Sequence, residues 1–188
     1  MSIKNRERRK MLMRSTTKDN FFIALALVIM VVLFYSSSQP YGEQSLTGVL
    51  DKILAKEPLK DLLGLIQFNY AGSEVSIAAQ GYSAFIEFFI RKLAHFGTYF
   101  LLGLCWFLGL KNKMTSIWLS AFVSWLLASG YAAFDEFHQS ITPDRTPLME
   151  DVILDATGAL TSILLAVVFF VFIYKKKKKK PSFKKIKR

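Results

Sequence analysis

Three stretches of this chain place ionisable and hydrogen-bonding side chains at helical spacing. Lys92, His95 and Tyr99 stand at i, i+3 and i+7, so they share one helix face, with Arg91 just before them. Asp135 and Gln139 are an i, i+4 pair with Glu136 beside them. Asp151 and Asp155 repeat that spacing, with Asp155 about 5 Å, one turn, deeper along the helix. Arg145 stands between the second and third sets, in the loop Ser140–Pro147. Arginine and lysine side chains bind phosphate, arginine in two-pronged fashion. Carboxylates orient such cations or take an amine. His95 with Asp135 would make an acid/base pair, with Arg145 stabilising developing charge. A mixed histidine and carboxylate site can also hold a divalent metal, but no metal is assigned here.

Each residue also has a purely structural use. Arg91 and Lys92 can snorkel at a helix end, and Asp151 can sit at a helix N-terminus, where negative charge is favourable. Glu136 and Asp144 can be solvated, Arg145 can pin its loop, and Tyr99 can be a packed or interfacial aromatic. Taken together the set argues for function. An ionised group central in a bilayer costs about 2.5–3.5 kcal/mol or more, so such groups pair, face the interior or line a wet cavity. The signs match: Arg91, Lys92, His95 and Arg145 can meet Asp135, Glu136, Asp151 and Asp155.

A bilayer must be in the picture because of the segments that carry these residues. Of the 188 residues 52% are hydrophobic, yet the net charge is +11, and the two populations are segregated along the chain. A hydrocarbon layer about 30 Å thick takes about 20 apolar residues as a helix. Phe21–Tyr35, Leu93–Leu110, Thr115–Phe134 and Val152–Tyr174 supply four such runs. They are too long and too continuous for barrel strands. The expected fold is an all-α integral membrane protein, a bundle of four transmembrane helices with a short amphipathic helical segment on the outer face. The expected parts are a basic N-terminus (1–20), a first span (21–37), an extracytoplasmic amphipathic segment (38–87), a core with three spans (88–174) and a lysine-rich tail (175–188). Gly158 and Ser162 offer a small-residue pair for close helix approach, and Gly97 and Gly103 also lie on helical faces.

Orientation follows from the bases. The N-terminal segment, the loop with Lys111 and Lys113, and the tail hold 19 of the 25 Lys and Arg residues; the other side holds 12 of the 14 acidic ones. Both termini are therefore expected in the cytoplasm, which puts the ionisable set near the outer face. Ser36-Ser37-Ser38-Gln39-Pro40 lacks a small-x-small cleavage site, so the first span reads as an uncleaved helix. The tail reads as a topology signal that also touches anionic lipid, and no nucleic-acid partner is expected. In the outer segment Leu46, Val49, Leu50, Ile53 and Leu54, then Leu59, Leu62, Leu63 and Ile66, form two stripes too short to span. They are expected to lie on the bilayer surface or to cover the bundle. Cys105, the single cysteine, excludes an intrachain disulfide and any cysteine-based metal site. No G-x-S-x-G, H-E-x-x-H or glycine-rich phosphate loop occurs.

The run Arg91-Lys92-x-x-His95-x-x-x-Tyr99, then Asp135-Glu136-x-x-Gln139, Arg145, Asp151 and Gly158, resembles the VanZ-like family over about Ile90 to Leu165. That family often has Asn where Asp155 stands. Its members are small bacterial membrane proteins, named for an accessory determinant of teicoplanin resistance in Gram-positive bacteria. The resemblance implies the bacterial cytoplasmic membrane, a cell-envelope role at the outer leaflet, and lower susceptibility to lipoglycopeptides. It supplies no reaction and no cofactor. The leading expectation is a protein that engages a lipid-linked cell-wall precursor or a lipoglycopeptide. Alternatives are an enzyme acting on a lipid-linked phosphate and, behind it, an ion-coupled transporter, which would need a homo-oligomer.

Overall fold

Helix α1 runs from Ile3 to Ser37, α5 from Tyr82 to Leu110, α6 from Ile117 to Ser140 and α7 from Met149 to Val168. The structure is a computed structural model that describes residues 3–143 and 145–174, with side chains described for 16–143 and 145–172. Asp144, the bases before Thr16 and the tail from Lys175 lie outside those side chains, and the orientation argument rests largely on them. Four stretches are long and apolar enough to cross a membrane: Thr16–Ser37, Tyr82–Leu110, Ile117–Ser140 and Met149–Phe172. The chain is a multi-pass, all-α membrane protein. A π-helical turn, Phe169–Tyr174, ends the last span.

Helix α5 starts at Tyr82, inside the stretch expected to be connector. It has 29 residues, about 43 Å of helix against a hydrocarbon layer of about 30 Å, so it exceeds the apolar thickness by about two and a half turns. Gly81, at φ +83°, turns the chain into it.

Between the first two spans lie α2 (Thr47–Ile53), α3 (Lys60–Leu63), a hairpin of β1 (Phe68–Tyr70) and β2 (Ser73–Val75), and α4 (Ile77–Gln80). The amphipathic helices were expected; the hairpin was not. Tyr70 pairs with Ser73 across a two-residue turn, and Ala71 and Gly72 both have positive φ, as the favoured hairpin turn requires. Val49, Ile53, Leu59, Leu62 and Leu65 remain exposed on this segment.

Small residues set the helix spacing. A methyl added at Gly158 would come within 2.5 Å of the Phe96 carbonyl oxygen, and one at Gly103 within 2.8 Å of the Ala159 backbone. Helices α5 and α7 therefore meet backbone to backbone. Gly109 lets α1 approach α5 at Ile23. Gly97 faces open space and has no such part. On α6, Ser120, Ser124, Ala128, Ala132 and Glu136 recur every four residues and are all buried. That stripe carries α6 against its neighbours and runs straight into the carboxyl groups. Large apolar side chains such as Leu101, Phe122, Leu126, Leu164 and Leu165 point outward, as a bilayer-facing surface demands.

Candidate functional site

The C-terminal ends of α1 and α6 and the N-terminal parts of α5 and α7 come together at one end of the bundle, and nine of the ten predicted residues lie on α5, α6 and α7. Arg145 joins from the α6–α7 loop. Lys92 Nζ lies 2.5 Å from Asp151 Oδ1, an ion pair between α5 and α7. The Tyr70 hydroxyl, brought in by the hairpin, donates to the same oxygen at 2.6 Å. Lys92 also stands 4.5 Å from the Tyr70 ring centre and 5.3 Å from that of Phe88. Burial, then the bond to Asp151, pushes the Tyr70 phenol above its ordinary range, so it stays a neutral donor. A groove of about 340 Å³ opens here, lined by Tyr70, Glu74, Gln80, Phe88, Lys92 and Thr146.

Two guanidinium groups stand on another side of this end. Arg91 Nε donates to Glu87 Oε1 at 2.8 Å, and its guanidinium lies 4.2 Å from the Tyr41 ring centre. Arg91 Nη2 is buried without a hydrogen-bond partner. Arg145 Nε donates to the Gln39 carbonyl at 3.2 Å, and Nη2 to Gln44 Oε1 at 2.6 Å. Both acceptors are neutral, and among the described residues no carboxylate comes within ion-pair distance of Arg145. Burial, then the charge of Arg91, lowers the Arg145 pKa, while Asp135 and Glu136 oppose this. Arg145 does pin its loop, and two bonds to neutral acceptors use only part of its five N–H donors.

The carboxyl groups sit deeper, on largely neutral partners. Asp135 is 2% exposed; Ser37 Oγ donates to Oδ1, and Gln139 Nε2 to Oδ2 at 3.2 Å. Glu136 accepts the Leu148 backbone N–H at 2.9 Å, so a side chain from α6 serves the start of α7, which has no side-chain cap of its own. His95 Nδ1 lies 3.4 Å from Asp155 Oδ2, a long contact. The acid/base pair expected of His95 and Asp135 is therefore not formed: Asp135 turns to Ser37 and Gln139, and Asp155 takes the imidazole. Asp155 Oδ1 and the Tyr99 hydroxyl are buried without partners, and both residues are nearly inaccessible. Among the described residues, no three His, Cys, Asp or Glu side chains gather closely enough to hold a metal ion.

Sequence reasoning missed several members. Glu87, 1% exposed, accepts from Leu46 N, Ser45 Oγ and Arg91 Nε, and so ties the connecting segment to α5. Its i, i+4 spacing from Arg91 was the available signal. Ser37, Gln44 and Tyr70 come from segments whose placement no local pattern reveals. His138 stacks on Phe34 with ring centres 4.3 Å apart, and its Nδ1 is buried and unpartnered.

A family model described as VanZ/LLP1 matches residues 22–171. The match takes in the first span and the connecting segment, well beyond the stretch in which the motifs were recognised. No curated protein and no solved structure matches the chain.

Proposed function

The chain belongs to the VanZ/LLP1 family, and on that premise we propose that its polar end binds the phosphate-bearing headgroup of a lipid-linked or amphiphilic ligand. The observation that carries this reading is the pair of guanidinium groups. Among the described residues, Arg91 holds a buried, unpartnered Nη2, and Arg145 rests on neutral acceptors. A buried unpaired donor costs about 1–3 kcal/mol, and an anion between these groups would relieve it with charge-assisted bonds. In a bilayer such an anion would stand at headgroup level. The charge pattern along the chain supports both termini in the cytoplasm and the polar end at the outer leaflet of the bacterial cytoplasmic membrane. There a lipid-linked wall precursor or a lipoglycopeptide would be within reach, and the protein would lower susceptibility to drugs such as teicoplanin.

The test is teicoplanin susceptibility in a sensitive Gram-positive host carrying empty vector, wild type, Arg145→Gln or Asp135→Asn, with membrane levels matched. Wild type is expected to protect, and both variants to protect less. Equal susceptibility of wild type and empty vector would mean the drug phenotype does not extend to this chain. A second reading, hydrolysis of a lipid-linked phosphate, draws on the His95–Asp155 contact beside the unpartnered Tyr99 hydroxyl. Turnover of lipid phosphates by the purified protein would put that reading first.

A further inference from the structure

The turn that follows α1 seats both arginines. The Tyr41 ring centre lies 4.2 Å from the Arg91 guanidinium, and Gln39 and Gln44 accept from Arg145. Ser45 Oγ and Leu46 N each donate to Glu87 at 3.1 Å, which fastens the end of the turn to α5. Helix α2 begins at the next residue, Thr47.

That helix is amphipathic. Leu46, Val49 and Ile53 stand at i, i+3 and i+7 and share one face. They are 40%, 54% and 72% exposed, so no other described part of the chain covers that face. Asp51 and Lys52, on the other side of the helix, are exposed as well. Over residues 46–66 charge is balanced: Lys52, Lys56 and Lys60 stand against Asp51, Glu57 and Asp61. An exposed apolar stripe marks a contact with protein or membrane, and balanced charge leaves apolar area as its driving force.

The level of α2 along the bundle favours the membrane. About 20 helical residues cross the hydrocarbon layer, and counted back from Leu110 they reach Arg91. Exposed Ile90 and Leu93 carry the bilayer-facing surface up to that level. Glu87 lies one turn, about 6 Å, beyond Arg91. The polar layer that flanks the hydrocarbon is about 5–8 Å thick, so the residues fastened to Glu87 stand among lipid headgroups. Leu46 is one of them. A stripe that starts there meets the boundary of headgroups and acyl chains, where amphipathic helices lie.

We propose that α2 is an interfacial anchor: Leu46, Val49 and Ile53 insert into the leaflet at the polar end, and the anchored helix holds the turn that seats Arg91 and Arg145 at headgroup level. The anchor is independent of which ligand the arginines bind. Because apolar area drives it, insertion needs no anionic lipid.

The full chain in a Cys105→Ser background is spin-labelled at Val49→Cys, Ile53→Cys or Asp51→Cys and placed in phosphatidylcholine nanodiscs, one copy per disc. Collisions with oxygen, which dissolves among acyl chains, are compared with collisions with a water-soluble nickel chelate. The labels replacing Val49 and Ile53 should favour oxygen several-fold more than the label replacing Asp51. High salt, or addition of phosphatidylglycerol, should leave that contrast unchanged. Equal ratios at the three positions overturn the anchor. A contrast that needs phosphatidylglycerol or vanishes in high salt overturns the apolar mechanism. One that appears only with two copies in a disc identifies a second copy of the chain as the occupant and overturns the lipid assignment. The hold on the turn is read from a label at Gly42→Cys, where an added side chain meets open space. Val49→Asp with Ile53→Asp should make that label several-fold more mobile, and Val49→Ser with Ile53→Ser should do so to a lesser degree. Unchanged mobility in both pairs overturns the positioning role.

Discussion

At the scale of single residues, part of the polar end consists of ion pairs in which each partner keeps the other from being a lone buried charge. Lys92 and Asp151 show this most directly: they meet at 2.5 Å with side chains 19% and 13% exposed. Removing one partner of a buried pair costs about 3–5 kcal/mol, because the other charge is left uncompensated, and the partial exposure here puts the cost toward the lower figure. Asp151→Asn and Lys92→Met should each lower the thermal unfolding midpoint in detergent, and the double variant should lower it by less than the sum. Strict additivity would mean the two charges do not stabilise one another. The signs and spacing of these residues were legible, because i, i+3 and i+4 relations need nothing but a helix. Their partners were less so. His95 was matched with Asp135, yet Asp155, one turn below Asp151, is the acid that meets it. Tyr70 was invisible as a site residue, since only the hairpin turn at Ala71 and Gly72 brings its hydroxyl to Asp151.

At the scale of elements, the crossing of α5 and α7 decides whether those pairs can form. Gly158 packs against the Phe96 carbonyl, between the levels of His95 and Tyr99, so any side chain there forces the helices apart where the acids and bases meet. Gly158→Ala should therefore lower the unfolding midpoint despite the better helix propensity of alanine. Gly97→Ala is the contrast: its methyl would meet open space, so the propensity gain of about 1 kcal/mol should leave stability unchanged or raised. Equal behaviour of the two variants in a thermal unfolding series would remove the close-crossing argument. The apolar runs announced the four spans, and Gly158 announced a close approach. The start of α5 was not readable, because its first turns carry Glu87 and Arg91 above the apolar layer and look like connector. The small-residue stripe of α6 also escaped notice: five buried positions four apart are a packing face only once a neighbour is known.

At the scale of the whole molecule, charge is sorted along the chain, and that sorting is the property that sequence shows best. The end opposite the polar site has its own ties, with Asn112 Nδ2 donating to Asp19 Oδ1 at 2.9 Å and Lys113 Nζ to Asn20 Oδ1 at 2.8 Å. That end carries the short loop between α5 and α6, and Lys111 and Lys113 within it belong with the basic N-terminal segment and tail. The positive-inside tendency then predicts this end in the cytoplasm and the hairpin outside. Cys105 is the single cysteine and is buried in the bundle, so Cys105→Ser gives a background for adding one labelled position at a time. In that background Ser73→Cys, at the exposed hairpin turn, should react with a membrane-impermeant maleimide on intact cells. Lys113→Cys, exposed at the other end, should react only after permeabilisation. The reverse pattern would place the polar end in the cytoplasm, where no extracellular drug or outer-leaflet precursor reaches it. The family membership would stand, but the proposed protection against lipoglycopeptides would lose its physical route. The lipid-headgroup site would then have to serve the inner leaflet.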